Sequence, residues 1–160
     1  MGSNPLHIVY RFAQALRMLW WRIARPHVHG AKVVVLGPGR TVLLIRHSYA
    51  SPELWMLPGG GIARGEEAAV AAAREVMEET GISVSALRLH GAFLETARGA
   101  RNHISIFVAE GTGEPRCDGH EIIAATWHPL DALPANIASG SRNRIVEVRD
   151  GVPPVGPDWP

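Results

Sequence analysis

The chain has 160 residues, of which 46% are hydrophobic and 19% are charged, a composition suited to a single globular domain with a sizeable core. Its formal net charge of +1 gives no basic field for neutralising the phosphates of a long polynucleotide, so we expect no polymeric nucleic acid as a partner. The only cysteine, Cys117, excludes an internal disulfide and a cysteine zinc cluster. This is compatible with a reducing compartment, and we expect a cytoplasmic protein.

Residues 1–29 form a predicted N-terminal helical extension. Arginines interrupt the apolar stretch Leu6–Arg25 at regular intervals, which argues against a signal-peptide core or a membrane-spanning helix. The pattern indicates an amphipathic helix whose apolar stripe includes Phe12, Leu16, Leu19 and Ile23. We expect this stripe to pack against its own domain or against a second subunit in a homodimer. Peripheral contact with a membrane surface is the less favoured alternative.

Residues 30–150 are predicted to form the main domain, and residues 151–160, with four prolines and two glycines, an irregular tail. Apolar runs bounded by turn residues indicate strands at Lys32–Leu36, Thr41–Arg46, Val84–Leu94, His103–Ala109 and Ile122–Trp127. Predicted helices span Glu66–Thr80, a short stretch near Leu130–Leu133, and part of Arg142–Arg149. This order predicts an α/β fold in which helices pack on the faces of a mixed sheet.

The predicted helix Glu66–Thr80 carries a cluster of carboxylates. At 100° per residue, the side chains of Glu75, Glu78 and Glu79 lie within an arc of roughly 100°. The same geometry predicts an apolar back that packs against the sheet and consists of Val70, Ala73, Val76 and Met77. On the acidic side, open space for a ligand is predicted beside three small residues, Ala68, Ala71 and Ala72.

Three like charges at this spacing repel one another, and a pairing of Arg74 with Glu78 neutralises only one of them. A hard divalent cation such as Mg²⁺ takes oxygen ligands, characteristically one or two carboxylates together with waters and phosphates. The loop Gly59-Gly60-Gly61 lets the backbone approach a metal or a phosphate closely. The cluster therefore indicates a metal site, and the alternative is an ordinary solvated acidic face.

The stretch from Gly60 to Ile82 resembles the Nudix box, G-x5-E-x7-R-E-U-x-E-E-x-G-U, where U is an apolar residue. Every defined position agrees: Gly60, Glu66, Arg74, Glu75, Val76, Glu78, Glu79, Gly81 and Ile82. Seven fixed identities recur by chance in on the order of one window in 10⁸. The resemblance extends over Ala31–Arg149 and includes the entry Leu57–Gly60 and the closing run Glu121–Leu133.

This resemblance implies a Nudix-like α/β/α sandwich that hydrolyses a pyrophosphate bond in a nucleoside diphosphate linked to another moiety, with Mg²⁺ as cofactor and Mn²⁺ as a substitute. The metal ligands that it implies are Glu75, Glu78, Glu79 and the carbonyl oxygen of Gly59. Arg74 then orients a glutamate of the cluster, Glu66 forms a salt bridge to Arg74, and a metal-bound water is the nucleophile. Glu121 is the candidate general base outside the box, and its alternative role is that of a solvated loop acid.

Candidates for substrate binding lie outside the carboxylate cluster. Arg46 is a candidate phosphate contact and Trp55 a candidate for stacking on a base, although both residue types also fit ordinary surface and packing roles. The backbone of Gly60 and Gly61 is a candidate phosphate contact as well. His47, like the other strand histidines, is interpreted as a packing or hydrogen-bonding residue.

The expected substrate is a small nucleotide-like molecule, either a nucleoside triphosphate (NTP or dNTP) or a nucleotide-sugar-like compound. Residues Leu89–Asn102 lack the proline or tyrosine that marks the Nudix subfamilies acting on ADP-ribose and diadenosine polyphosphates. Two alternatives stay open. One is a catalytically silent Nudix-fold regulator that binds a nucleotide, and the other is a hydrolase regulated at a membrane surface or by dimerisation.

Overall fold

The structure of the chain, a computed structural model, describes residues 28–49, 51–97, 100–117 and 119–155. The helix predicted at Leu6–Arg25 lies outside these residues, as do the last five residues of the predicted tail. Within the described ranges, no helix is both long and apolar enough to cross a membrane.

The described residues form six strands and two helices around one mixed sheet. In chain order they are β1 (Val28–Gly37), β2 (Thr41–His47), β3 (Gly59–Gly61), α1 (Ala68–Thr80), β4 (Val84–Ala97), β5 (Ala100–Gly111), β6 (Ile122–Pro129) and α2 (Ser139–Asp150). The strand order is β4-β5-β1-β2-β6, with β3 paired to β1. Strands β1 and β5 run parallel, and the other pairs are antiparallel. The predicted α/β class is confirmed, and each predicted strand is present with slightly longer bounds.

Each face of the sheet carries a buried core, because successive side chains of a strand point to opposite sides. The core under α1 includes Ala31, Val33, Val35, Leu43, Phe107 and Ala109. The core under α2 includes Val34, Val42, Leu44, Ile104, Ile106 and Val108. Strands β1 and β2 are buried on both faces, which explains why their sequences are continuous apolar runs. The two helices therefore cover opposite faces.

Strand β3 is inserted beside β1 and positions the glycine loop. Near the β1–β2 turn these two strands pair with each other. Towards the start of β1, β3 takes the neighbouring position, with Gly59 opposite Lys32. The backbone N–H of Val33 also donates to the carbonyl oxygen of Pro58 (3.0 Å). Main-chain hydrogen bonds thus hold the glycine loop within the sheet rather than above it.

The predicted rotation of α1 is only partly correct, because Val76 is buried as predicted but two other residues of the predicted back are not. Val70 and Met77, expected on the buried back, are 56% and 43% exposed. Ala71 and Ala72, expected to border open space for a ligand, are fully buried against the sheet. Small side chains let a helix approach a sheet closely, so α1 buries Ala71 and Ala72 beside Val76 and leaves Val70 and Met77 exposed. This rotation turns Glu79, which precedes the buried Thr80, towards the sheet.

The C-terminal end of α1 agrees with its prediction. The helix ends at Thr80, and Gly81 has a left-handed backbone with φ of 69°. Its N–H donates to the carbonyl oxygen of Met77 (2.8 Å), as expected for a glycine that terminates a helix. The last predicted helix is also present as α2, which begins three residues before the predicted range.

The short helix predicted near Leu130–Leu133 does not form, and these residues make a turn. The backbone N–H of Leu130 donates to the carbonyl oxygen of Arg40 (2.9 Å), which ties the start of the turn to the β1–β2 connection. Pro134 follows, and a proline disfavours helical backbone at the residue before it. The connection then turns again at Ala135 and Asn136 and forms a bridge at Ile137 before α2 begins.

Candidate active site

Arg74 forms hydrogen bonds with three glutamates, one just before the box helix α1 and two within it. Its Nε and Nη2 donate to the two carboxylate oxygens of Glu66 (2.9 and 3.0 Å). Its Nη1 lies 2.8 Å from Glu75 Oε1 and 3.2 Å from Glu78 Oε2, and Nη2 donates to the carbonyl oxygen of Gly61 (3.2 Å). The hydrogen bonds between Arg74 and Glu66 lower the pKa of Glu66 to about 2 and raise the pKa of Arg74. One planar guanidinium thus joins three carboxylates to the glycine loop.

The turn before α1 places Glu66 within reach of Arg74. The N–H of Glu66 donates to the carbonyl oxygen of Ala63 (3.0 Å), and the N–H of Ala63 donates back to Glu66 Oε2 (2.9 Å). Gly65 within this turn has φ of 80°, a left-handed conformation that favours glycine. The carboxylate of Glu66 is therefore fixed just ahead of the helix.

The other three box glutamates differ in exposure. The side chains of Glu75 and Glu79 are 16% and 10% exposed, whereas that of Glu78 is 60% exposed. Glu79 Oε2 accepts a hydrogen bond from the N–H of Gly59 (2.8 Å). Burial raises the pKa of Glu79 to about 8, and the charges of Glu75 and Glu121 act in the same direction. A buried carboxylate among other carboxylates requires a neighbouring cation to stay ionised at neutral pH.

Close contacts explain two of the three loop glycines. A Cβ at Gly60 would lie 2.5 Å from Glu75 Oε2, and a Cβ at Gly59 would lie 2.1 Å from the carbonyl oxygen of Ala31. A Cβ at Gly61 would meet open space, so crowding does not account for the third glycine. The missing side chain of Gly60 lets the loop backbone approach Glu75, and that of Gly59 lets it lie against β1.

Arg46 and Trp55 lie together on the side of the sheet that α2 covers, where Trp55 packs against the core. The guanidinium carbon of Arg46 lies 4.9 Å from the centroid of the Trp55 ring, and the His128 ring meets the same indole edge-on at 4.6 Å. Arg46 Nε and His128 Nε2 are buried and have no hydrogen-bond partner among the described residues. An aromatic surface beside two such nitrogen atoms suits a planar polar ligand.

The family model described as the NUDIX domain matches residues 26–147 of the chain. The chain belongs to the Nudix family. A Bacillus subtilis (strain 168) protein named "Putative 8-oxo-dGTP diphosphatase" is 29% identical over 125 residues, which cover 78% of this chain and 82% of that protein. An "RNA pyrophosphohydrolase" of Rhizobium meliloti (strain 1021) is 38% identical over 120 residues, covering 61% of this chain and 72% of that protein.

Structural similarity agrees with this assignment. The crystal structure of a MutT NUDIX hydrolase from Burkholderia pseudomallei matches with a TM-score of 0.69 and 26% identity, over 77% of this chain and 98% of that one. The chain is therefore a Nudix hydrolase, and hydrolases of this family generally use divalent metal ions.

Two residues beside the Nudix glutamates were not among the predicted site residues. His47 Nε2 lies 3.9 Å from Glu79 Oε1. Burial, and secondarily the charge of Lys32, lowers the pKa of His47 to about 4. Lys32 Nζ donates to the carbonyl oxygen of Leu57 (3.4 Å). The packing role expected for His47 agrees with its burial, but its position beside Glu79 depends on which strands are neighbours, and a local pattern does not contain that information.

Glu121, the candidate base outside the Nudix box, lies near the same carboxylates. Its carbonyl oxygen accepts a hydrogen bond from the N–H of Ser48 (2.9 Å), which fixes the start of β6 beside the end of β2. Its charge contributes to the raised pKa of Glu79. The fold therefore brings an acid from a distant loop to the box helix.

The Nudix carboxylates suit a hard cation by their chemistry, although they are not preassembled around one point. Among the described residues, no three His, Cys, Asp or Glu side chains are grouped as a metal cage, since Arg74 engages Glu75 and Glu78 while Glu79 faces the N–H of Gly59. Carboxylate and main-chain oxygens are the donors that Mg²⁺ and similar ions prefer. The exposed Glu78 side chain has room to turn towards a cation.

Proposed function

We propose that this Nudix hydrolase cleaves a pyrophosphate bond of a nucleoside triphosphate, or of a nucleoside diphosphate joined to a small group, with Mg²⁺ as cofactor and Mn²⁺ as a substitute. The observation that carries the proposal is the pair of largely buried carboxylates, Glu75 and Glu79, packed against the glycine loop. A single guanidinium, that of Arg74, forms ion pairs with three of the four box glutamates, Glu66, Glu75 and Glu78. The cluster therefore has negative charge left to attract a divalent ion.

The residues that would hold the ion are Glu75, Glu78, Glu79 and the carbonyl oxygen of Gly59. When bound, the ion stabilises negative charge on phosphoryl oxygens and makes a water more acidic. Arg74 holds the glutamates in place, and Glu66 anchors Arg74 through two hydrogen bonds. Neither Arg74 nor Glu66 needs to touch the substrate to serve in this way.

Glu121 is proposed as the general base. Its carboxylate takes a proton from the attacking water while the water oxygen forms a bond to phosphorus. The P–O–P bond breaks, and the bridging oxygen leaves with its electron pair on the departing phosphate. A triphosphate thereby yields a nucleoside monophosphate and pyrophosphate, or a diphosphate and orthophosphate, depending on which phosphorus is attacked.

Arg46 and Trp55 are proposed to bind the rest of the substrate. The indole offers a flat face for a base, and the partnerless Arg46 Nε offers a donor for a phosphate or a carbonyl. His128 Nε2 adds a second polar atom at the same place. The backbone of Gly60 and Gly61 lies against the carboxylates and is proposed to approach the phosphates.

The names of the relatives point to two candidate substrate classes, small nucleotides and RNA. The name of the Bacillus subtilis relative specifies a modified nucleoside triphosphate, whereas the Rhizobium meliloti relative is named for RNA. The net charge of +1 favours the small nucleotide, since binding a polymer draws much of its strength from neutralised phosphates. RNA carrying a 5′-triphosphate is the second candidate.

The test is product analysis by chromatography after incubating the purified chain with nucleoside triphosphates, 8-oxo-dGTP, nucleotide sugars, and 5′-triphosphorylated or capped RNA. We expect turnover of a small nucleotide with Mg²⁺ or Mn²⁺, and none in excess EDTA. Turnover restricted to RNA would overturn the substrate assignment, and undiminished turnover in EDTA would overturn the metal mechanism. Tight nucleotide binding with no turnover of any compound would favour the silent regulator.

A further inference from the structure

The chain contains one lysine, Lys32, against fifteen arginines. This lysine lies within β1, between Ala31 and Val33, whose side chains belong to the core under α1. Because side chains alternate along a strand, the side chain of Lys32 leaves β1 on the opposite face of the sheet, the face that also holds Arg46 and Trp55.

Backbone pairing brings Lys32 to the carboxylate cluster. It is the register partner of Gly59, whose N–H donates to Glu79 Oε2 (2.8 Å). Lys32 Nζ donates to the carbonyl oxygen of Leu57, two residues before Gly59, over a long 3.4 Å. The charge of Lys32 also acts on both Glu79 and His47. The charge of Lys32 therefore acts on the carboxylate cluster from the face of the sheet that also carries Arg46 and Trp55.

We propose that Lys32 is a specificity-determining residue that binds a phosphate of the substrate and, until the substrate arrives, opposes the binding of a divalent cation at Glu79. The inference rests on the proposed function, because it requires a cation at the glutamates and a phosphate beside them. An ammonium is a compact point charge that suits a phosphate oxygen. The same charge lies next to Glu79 and repels a second cation there.

A coupling between metal and substrate follows from these two roles. A phosphate that binds Lys32 neutralises its charge and so removes the repulsion felt by a cation at Glu79. Metal and nucleotide should therefore increase each other's affinity, and the two effects must be equal by linkage. An arginine at this position would keep the charge but would be bulkier and would spread the charge over a planar group.

The first experiment compares wild type, Lys32→Gln and Lys32→Arg, with Arg88→Gln as the matched control. Arg88 is exposed on β4, so its variant removes one positive charge away from the site. Mn²⁺ affinity without nucleotide is measured by electron paramagnetic resonance, and KM and kcat by product release. For Lys32→Gln we expect Mn²⁺ to bind about threefold to tenfold more tightly and KM to rise about tenfold or more, with a smaller change in kcat.

Arg88→Gln should match wild type in both quantities, and Lys32→Arg should keep the wild-type Mn²⁺ affinity. If wild type binds Mn²⁺ and turns over nucleotide but Lys32→Gln leaves Mn²⁺ affinity and KM within twofold of wild type, the role of Lys32 is overturned while the proposed function stands. If wild type fails to bind Mn²⁺ at all, the metal site itself is overturned, and this inference with it.

A second measurement needs no variant and so does not depend on the fold surviving a substitution. Incorporating lysine labelled with ¹³C at Cε yields one resonance, since the chain has one lysine. Methylenediphosphonate, which cannot be hydrolysed at its P–C–P linkage, serves as the probe and is added with Mg²⁺. We expect the Lys32 resonance to shift in a saturable manner. A Lys32 resonance that stays in place while the ³¹P resonance of the probe reports saturation would overturn phosphate binding by Lys32.

Discussion

Two clusters of charged side chains, one beside each helix, both contain buried carboxylates but differ in their balance of charge. In the cluster on α2, Glu147 Oε1 accepts hydrogen bonds from Arg144 Nη2 and from the N–H of Val155, both at 2.9 Å. His90 Nε2 lies 2.9 Å from Glu147 Oε2. The Phe93 ring lies 4.1 Å from the guanidinium carbon. One carboxylate thus meets one arginine, and no ligand is needed to balance the charges.

The cluster on α1 has the opposite character, because its carboxylates outnumber its cations. Arg74 pairs with Glu66, Glu75 and Glu78 at once. Glu79 has a backbone N–H, an imidazole at 3.9 Å and the charge of Lys32. Burial of charge therefore does not by itself identify a functional site. A buried surplus of one sign does, because folding alone cannot balance it.

The largest expected effect is the loss of turnover when a proposed metal ligand of the α1 cluster is replaced. Glu78→Gln or Glu79→Gln removes one charge while keeping size and helix propensity, so the fold should survive. Turnover should fall by about 10³-fold or more, since the bound ion supplies both charge stabilisation and the nucleophile. Steady-state kinetics with Mg²⁺ measure the loss, and circular dichroism checks the fold.

Glu67→Gln is the matched control for these variants. Glu67 directly precedes α1 and makes no side-chain capping hydrogen bond, so its variant should stay within a few-fold of wild type. Near-full Mg²⁺-dependent turnover in both Glu78→Gln and Glu79→Gln would contradict the assignment of the ligands.

The next-largest effect concerns the free energy of unfolding and tests the cluster on α2, in which the charges of Glu147 and Arg144 balance. Glu147→Gln leaves Arg144 as a buried charge without its counter-ion, so the free energy of unfolding should fall by about 3 kcal/mol. Urea denaturation measures the change. Asp150→Asn, which disrupts an exposed pair with Arg149, should cost less than about 1 kcal/mol. The affinity for Mn²⁺ should not change in either variant.

A double variant sharpens the same test. Arg144→Met in the Glu147→Gln background removes the second charge and should recover part of the lost stability, since a neutral pair costs less than one unpaired buried ion. If the double variant is less stable than Glu147→Gln alone, then packing of Arg144 on Phe93, and not charge balance, holds this cluster together.

Sequence reasoning found one of these clusters and not the other for a physical reason. The Nudix glutamates follow one another on a single helix, so their spacing alone places them on one side of it. His90 and Glu147 come from β4 and α2, and only the tertiary fold brings them together. Lys32 and His47 are beyond local patterns for the same reason, because strand pairing sets their positions: Lys32 lies opposite Gly59, and His47 lies at the end of β2 opposite Ile122.

The rotation of α1 shows a second limit. A helical wheel centred on the larger apolar residues selects Val70 and Met77 as the buried side, but the sheet accepts Ala71 and Ala72 instead. Side-chain size decides this, because a close helix–sheet approach excludes longer side chains. The strands were simpler to predict, since runs such as that of β1 are apolar enough to be buried on both faces.

The smallest effect is a pH dependence that only the unbalanced cluster should show. The pKa of Glu79 is raised by burial to about 8, so the folded metal-free protein holds a proton that the unfolded chain releases near its ordinary value of about 4.5. Stability from this group is complete below that value and is lost as pH rises towards 8. His47, with its pKa lowered by burial to about 4, contributes stability above its ordinary value of 6.5 and loses it as pH falls.

Between pH 4.5 and 6.5 the two groups oppose each other, so the effect of Glu79 is isolated above pH 6.5. From there to pH 8 the metal-free protein should lose up to roughly 2 kcal/mol of its free energy of unfolding, measured by urea denaturation in EDTA. Glu79→Gln should remove this loss, whereas Glu147→Gln should keep it because the α2 cluster is balanced. Saturating Mg²⁺ should also remove it, since a cation at Glu79 favours the ionised form. An equal loss in Glu79→Gln and in wild type would mean that the proton belongs to another group, and that the surplus charge at α1 is balanced without a metal.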